Sequence, residues 1–158
     1  MQPNRDVELR NFYHTELKKW LRECHNAGGC GGHNPNYLAA SLNLNKSIDE
    51  IEASKNLRHC LNKVNRKLFG KNGNKKGRKL KVIPVMEKTW KIHFHLLIEI
   101  PEGKTFKEIR DLLLWYWRGT RYGAFKNHTK TNADEGWLDY ITKFRRQEDE
   151  VDFLNIEF

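Results

Sequence analysis

Four segments of the chain carry apolar residues at the three- and four-residue spacing of one helix face. The predicted helices span about Arg5–Cys24, Ser47–Gly70, Thr105–Gly119 and Ala133–Arg146. Ser47 with Glu50, and Thr105 with Glu108, match the Ser/Thr-x-x-Glu pattern of a capping box, which satisfies backbone amides at a helix start. The two central helices therefore have predicted starting points as well as predicted apolar faces.

Between these helices, alternation of apolar and polar residues predicts strands. The predicted strands span about Tyr37–Asn45, Lys79–Lys88, Lys91–Ile100 and, with a weaker pattern, Tyr122–His128. This order of elements predicts an α+β fold, in which helices flank an antiparallel sheet of about four to five strands. We expect one domain of 158 residues, with 1–36 as an N-terminal helix and glycine-rich loop, 37–146 as the core and 147–158 as an acidic tail.

The charge of the chain is strongly positive. Lys and Arg number 29 against 20 Asp and Glu, a formal net charge of +9, which favours a polyanionic partner such as nucleic acid or an anionic membrane surface. The segment 71–79 has glycine, asparagine and lysine but no apolar side chain, which predicts a mobile loop that grasps phosphates. The candidate phosphate-binding residues of this loop are Lys71, Lys75, Lys76 and Arg78.

No apolar run reaches the roughly 20 residues of a membrane-spanning helix, and the N-terminus lacks the apolar core of a secretory signal. We therefore expect a soluble intracellular protein with no membrane partner. Three cysteines, an odd number, do not indicate a disulfide framework. Cys24, His25, Cys30 and His33 surround a glycine-rich turn and are candidate ligands for structural zinc, although their spacing matches no standard paired pattern.

Two histidines share one face of the predicted strand at Lys91–Ile100. His93 and His95 are alternate residues, so both side chains point the same way, and their Cα atoms lie only ~6.6 Å apart at 3.3 Å per residue. This separation lets two imidazoles converge on one metal ion. Two solvent-facing histidines would give the same pattern, so the prediction of a metal site depends on a third ligand.

The preceding strand supplies that third ligand when the apolar faces of the two strands are matched. The match pairs Met86 with Phe94 and Glu87 with His93, and leaves residues 89–91 as the turn. Glu87 then joins the histidine face. Glu99 shares this face too, but it is four residues from His95, about 13 Å along a straight strand, too far to close the same site.

Two histidines and one carboxylate leave coordination positions open, as catalysis by a metal requires. The same ligand set could hold non-haem iron in an oxygenase. His93, His95 and Glu99 also echo the His-x-His-x₃-Glu run of cupins, but Glu87 stands where cupins have glycine, and the chain is too helical for a jelly roll.

The last predicted helix carries a candidate nucleophile. Tyr140 and Lys143 lie at positions i and i+3, hence on one helix face. A lysine ammonium beside a tyrosine hydroxyl favours the phenolate and attracts an incoming phosphate, so the pair is suited to covalent attack on phosphorus. A surface pair of no functional consequence has the same spacing.

Together these residues resemble the HUH superfamily of single-strand DNA endonucleases, and in particular its rolling-circle replication initiators with one catalytic tyrosine. The family's three motifs are a polar-faced strand, a histidine-hydrophobic-histidine run, and Tyr-x-x-Lys. They are matched in the same order by 41–45, His93-Phe94-His95 and Tyr140-Ile141-Thr142-Lys143. The match spans about Tyr37 to Phe144, and each motif is short.

The resemblance implies an RRM- or ferredoxin-like sheet with a Mg²⁺ or Mn²⁺ site on one face, an acidic third ligand on the strand before the histidines, and the tyrosine helix across the site. Glu87 fits the place of that acidic ligand. The implied reaction is attack by Tyr140 on single-stranded DNA, at an origin or a hairpin, giving a 5′-phosphotyrosine that can later be rejoined. Lys143 would screen charge near the phosphate or help to place the metal.

Members of this family initiate plasmid or viral replication, so the resemblance implies action in a bacterial or archaeal cytoplasm or in the host cell of a virus. We expect any unwinding to depend on a separate host helicase. For strand recognition, the basic loop is expected to contact phosphates and Trp90, at the hairpin tip, to stack on bases. A transposase or relaxase of the same superfamily, and a noncatalytic nucleic-acid-binding module, are the alternatives.

Overall fold

The structure is a computed structural model that describes residues 37–88, 90–131 and 150–152, together with Thr15, Lys19, Glu23, Asn155 and Glu157. Thr15, Lys19 and Glu23 are helical and exposed. The rest of the predicted helix at Arg5–Cys24, the cysteines and histidines proposed for zinc, and the predicted helix at Ala133–Arg146 lie outside the described residues.

Apart from the helical residues Thr15, Lys19 and Glu23, the described residues form two α-helices and a five-stranded sheet. In chain order the elements are β1 (Tyr37–Asn43), α1 (Glu50–Phe69), β2 (Val82–Lys88), β3 (Ile92–Glu99), α2 (Phe106–Arg118), β4 (His128–Lys130) and β5 (Glu150–Val151). The sheet order is β4-β1-β3-β2-β5, and neighbouring strands are antiparallel. The predicted α+β class is therefore confirmed, and the long strand β3 lies at the centre of the sheet.

Both helices pack on the sheet face that carries the even-numbered residues of β1, β2 and β3. This face joins the apolar stripes of α1 and α2 in one core, because alternate strand residues point the same way. At its centre the rings of Phe94 and Trp117 meet edge to face, with centroids 6.2 Å apart. Both side chains are fully buried, and each such burial stabilises the fold by about 1.5–3 kcal/mol. The other fully buried members include Leu38, Leu42, Leu57, Val64, Leu96, Ile98, Ile109 and Leu113.

The start of α1 differs from the prediction. Its N-cap is Asp49, whose side chain accepts a hydrogen bond of 2.9 Å from the backbone N–H of Glu52, so Ser47 is outside the helix. Asp is as good an N-cap as Ser, and Asp49-x-x-Glu52 has the same spacing as the predicted box. Ile51, placed in the predicted apolar stripe, is 65% exposed. The helix ends as expected at Gly70, which has the left-handed φ of 77°.

The capping box predicted for α2 is confirmed. Thr105 Oγ1 accepts from the backbone N–H of Glu108, and the Glu108 carboxylate accepts from the backbone N–H of Thr105. Hydrogen bonds from the Thr105 backbone and side chain hold the pKa of Glu108 below its usual value. The helix ends at Gly119, also as predicted. None of the described helices is long and apolar enough to cross a membrane.

Two further expectations are corrected by the structure. The weak strand predicted at Tyr122–His128 begins only at His128, and the preceding residues form a loop bonded to the end of β1. Alternation predicts a half-buried strand whose polar face carries Ala39, Ser41, Asn43 and Asn45, yet Ala39 is buried, as is Tyr37 in line with it. Because Ser41 and Asn43 are half-buried, the polar and accessible part of this face is confined to one end of β1.

Candidate metal centre

The β2–β3 hairpin has the register that face matching predicts. Met86 pairs with Phe94 and Glu87 with His93, and the pair of Lys88 with Ile92 leaves three positions for the turn. Directly paired residues of antiparallel strands point to the same face. Glu87, His93 and His95 therefore share the face opposite the helices.

The three side chains converge closely. Glu87 Oε2 lies 2.6 Å from His95 Nε2 and 3.2 Å from His93 Nε2. The imidazole rings of His93 and His95 meet nearly at right angles, with centroids 5.0 Å apart. His95 is buried, whereas His93 and Glu87 are half-buried and keep access to solvent. The group thus has one buried residue, His95, and two residues at the surface, His93 and Glu87.

The spacing of the donor atoms suits one metal ion. One nitrogen or oxygen from each residue lies within 4.8 Å of the others, and no other group of three His, Cys, Asp or Glu among the described residues does the same. Adjacent ligands at ~2.1 Å from an octahedral ion are about 3.0 Å apart, close to the two distances measured at Glu87 Oε2. A group of two imidazoles and one carboxylate can therefore hold a divalent metal and leave other positions free.

Ser41 on β1 orients the buried histidine. Ser41 pairs with His95 across the two strands, and its Oγ lies 2.9 Å from His95 Nδ1. While Nε2 carries the proton shared with Glu87, Nδ1 accepts from the Ser41 hydroxyl; when Nε2 is a metal ligand, Nδ1–H donates to the same oxygen. A hydroxyl serves both arrangements because it is a donor and an acceptor. The Nδ1 of His93, by contrast, lies 3.5 Å from the Lys91 carbonyl oxygen, the outer limit of a hydrogen bond.

The other polar residues of the β1 motif support the loop beside the centre. Asn43 donates from its backbone N–H to Asn127 Oδ1 at 2.8 Å and from Nδ2 to the Lys126 carbonyl at 2.8 Å. The Asn43 carbonyl accepts from Trp117 Nε1 at 2.9 Å, and Asn45 Nδ2 donates to the Arg121 carbonyl at 3.2 Å. These asparagines therefore hold the loop 121–127 against the end of β1.

Glu99 lies outside the group, as its distance along the strand predicts. Its carboxylate is 3.5 Å from Lys81 Nζ at the far end of β3. Tyr37 pairs with Glu99 there, and burial, followed by the negative charge of Glu99, raises the pKa of the Tyr37 phenol to about 12. The cupin alternative loses its third ligand, and the helix-backed sheet differs from a jelly roll.

The basic loop lies away from the metal centre. Residues 71–77 form turns closed by backbone hydrogen bonds, including a 3₁₀ turn at Asn74–Lys76, so the predicted mobile loop has defined local structure. Arg78 and the lysines of the loop are exposed. The loop precedes Val82, which is about 17 Å from Glu87 along β2. These cations therefore do not join the metal centre.

Trp90 is at the hairpin tip, as predicted, and is 85% exposed. Lys91 Nζ lies 5.4 Å from the centre of its ring. Beside it is a groove of about 500 Å³ between the hairpin tip and the start of α1. Ile51 also lines this groove. Two of the large exposed apolar side chains, Trp90 and Ile51, therefore lie together there.

The proposed nucleophile Tyr140 and its neighbour Lys143 lie outside the described residues, so their positions relative to the metal centre stay a prediction. Sequence reasoning found all three members of the metal group but missed the link from Ser41 to His95. The pairing of β1 with β3 supplies that link, and no local pattern specifies it. Comparisons with models of known protein families, with curated proteins and with solved structures each give no significant match for this chain.

Proposed function

We propose that this protein is a metal-dependent, site-specific endonuclease and strand transferase for single-stranded DNA, of the kind that initiates rolling-circle replication. The observation that carries the proposal is the convergence of Glu87, His93 and His95 within 4.8 Å on one sheet face. Its further support is the order of the polar strand, the paired histidines and the Tyr-x-x-Lys segment along the sequence, and the net charge of +9.

The chain's own residues would hold Mn²⁺ or Mg²⁺ through two imidazole nitrogens and one carboxylate. Bound there, the ion would polarise a nonbridging oxygen of the scissile phosphate. Glu87 and His93 face solvent, and this gives the phosphate its route to the centre. The contacts of His95 with Glu87 and Ser41 fix the orientation of its imidazole ring at the centre.

Tyr140 is the proposed nucleophile. Its Oη attacks the scissile phosphorus in line, a bond from Tyr140 Oη to phosphorus forms, and the bond from phosphorus to the 3′ oxygen breaks. The phenolic proton passes to solvent and the leaving 3′ oxygen takes up a proton. Lys143 favours the phenolate by its positive charge. Because the covalent link conserves the phosphodiester, a 3′-hydroxyl can reverse the step and join strands.

The proposed partner is single-stranded DNA at an origin or hairpin. Lys71, Lys75, Lys76 and Arg78 are exposed and carry the charge for phosphate contacts beyond the centre. Trp90 offers an open ring face for stacking. A transposase or relaxase would use the same centre on another DNA target.

The test is formation of a covalent adduct. Labelled single-stranded oligonucleotides of varied, origin-like sequence are incubated with the protein and Mn²⁺, and adducts are resolved by denaturing electrophoresis. We expect an adduct that is lost in Tyr140→Phe and retained in Tyr116→Phe, a half-buried tyrosine on α2. Normal cutting by Tyr140→Phe would remove the nucleophile, and binding with no adduct on any substrate would favour a noncatalytic binding module.

The metal centre has its own test. His95→Ala is expected to abolish cleavage while leaving salt-sensitive DNA binding largely intact, because binding depends on exposed cations elsewhere. His59→Ala, an exposed histidine on α1, is the matched control and should cut as the wild type does. Undiminished Mn²⁺-dependent cutting by His95→Ala contradicts the role of the centre.

A further inference from the structure

The face that carries the metal centre continues past β1 to the edge strand β4. Ser41 pairs with His95 on one side and with His128 on the other. Since directly paired residues point to the same face, these three side chains form a row across three strands. Ala39 pairs with Lys130 in the same way, so Lys130 lies on this face next to His128.

His128 and Lys130 are exposed, whereas Ala39, in the adjacent strand, is buried. Neighbouring strands are about 4.8 Å apart, so His128 is roughly 10 Å from His95 across the sheet. The described residues of β4 are His128, Thr129 and Lys130, none of which is acidic. The described residues of β4 therefore present one imidazole and one ammonium group, and no carboxylate, beside the accessible end of β1.

The start of β4 is held in place by the residue that faces the metal centre. Asn43, paired with His93, donates from its backbone N–H to Asn127 Oδ1. Asn127 Nδ2 donates in turn to the Ala124 carbonyl at 2.8 Å. His128 follows directly in the chain. Its position is thus defined by hydrogen bonds to β1 and not only by the short edge strand.

We propose that His128 and Lys130 bind the phosphodiester backbone of the single-stranded DNA whose scissile phosphate lies at Glu87, His93 and His95, so that the strand crosses the sheet from β3 to β4. The inference rests on the proposed function and adds the path of the substrate. The distance of ~10 Å corresponds to about three nucleotides stacked at 3.4 Å each, and to fewer if the strand is extended. The two residues therefore contact a phosphate close to the cut, whereas the basic loop contacts more distant ones.

Lys130 has an alternative, purely structural role as a lysine on an edge strand. Lysine on an edge strand keeps sheets from pairing with other chains, and such a lysine would not affect DNA binding. The paired variant His128→Ala/Lys130→Ala separates the two roles when compared with His59→Ala/Lys63→Ala. The control removes the same two residue types at exposed positions of α1, across the sheet from the metal face.

Binding of a fluorescein-labelled 15-nucleotide oligothymidylate is measured by anisotropy over a range of salt concentrations, with EDTA present to prevent cutting. We expect the β4 variant to bind roughly 10-fold more weakly, as the removal of one or two hydrogen bonds to phosphate implies. The slope of log affinity against log salt should fall by about 0.7, because one phosphate is no longer neutralised by the protein. The α1 control should match the wild type, and Lys130→Arg alone should retain the wild-type slope.

The binding results test the strand path and the proposed endonuclease separately. If the wild type binds the oligonucleotide and the β4 variant binds it within twofold, the strand path is wrong while the proposed endonuclease stands. Equal losses in the β4 and α1 variants would also overturn the path, since they would reflect net charge alone. If the wild type binds neither the oligothymidylate nor any of the origin-like oligonucleotides, with or without Mn²⁺, the proposed function itself fails. On a substrate that the wild type cuts, the β4 variant should raise KM and leave kcat unchanged, because these side chains hold substrate and transition state alike.

Discussion

Removing the Ser41 hydroxyl tests whether the strand next to the centre contributes to metal binding. In Ser41→Ala, His95 Nδ1 loses the partner that lies 2.9 Å away. Loss of a hydrogen-bond partner of a metal-binding histidine lowers metal affinity by roughly 10- to 100-fold. Ser41 is half-buried, so water replaces part of the missing hydrogen bond, and we expect the lower end, about 10-fold or ~1.4 kcal/mol.

The affinity for Mn²⁺ is measured by isothermal titration calorimetry, which needs no DNA and no cutting. Ser41→Thr keeps a hydroxyl and should bind Mn²⁺ nearly as the wild type does. Ser47→Ala, which removes an exposed hydroxyl 3.5 Å from the Trp90 carbonyl, should leave the affinity unchanged. If Ser41→Ala binds Mn²⁺ as tightly as the wild type, orientation of His95 by β1 is refuted. Equal weakening in Ser41→Thr would point to packing of the strand instead.

Two further predictions concern stability. A methyl group at Gly123 would overlap the Trp117 carbonyl oxygen, whereas one at Gly119 would meet its nearest atom at 3.5 Å. Gly123→Ala should therefore lower the free energy of unfolding by about 1–3 kcal/mol, and Gly119→Ala should not. Equal urea midpoints for the two variants would contradict this. Because the Tyr37 pKa is raised to about 12 on folding, its contribution to stability is complete below pH ~10 and is lost as pH rises from 10 towards 12. Tyr37→Phe should lose less stability than the wild type between pH 8 and pH 11 in urea unfolding, and an equal loss would show that another group titrates.

The β2–β3 hairpin was the most predictable part of the fold. Its two strands adjoin in sequence, and a one-residue slip would move every apolar side chain to the wrong face. Matching those faces was therefore enough to pair Glu87 with His93. The three metal-group residues follow from the pairing alone. Their distances do not, because they depend on side-chain rotation within the packed sheet.

Features that depend on distant pairing were not predictable. Alternation showed which residues of β1 share a face, but not that β3 and β4 flank β1 and bring Ser41 between His95 and His128. At the start of α1, Ser47 and Asp49 both have a glutamate three residues later, so sequence spacing could not distinguish them. Ile51 is exposed because it lies four and seven residues before Lys55 and Arg58, on the exposed face of α1.

The metal ligands come from one hairpin, which has a consequence for folding. Glu87 and His95 are separated by 8 residues, but Ser41 and His95 by 54. Hairpins form in about 1–10 μs, whereas contacts distant in sequence are slower to form. We therefore expect the three side chains to come together in chains in which the hairpin has formed and β1 has not yet paired. Because a ligand that also binds incompletely folded chains stabilises the native state by less than its affinity implies, we expect any rise in melting temperature caused by Mn²⁺ to be smaller than its native-state affinity alone requires.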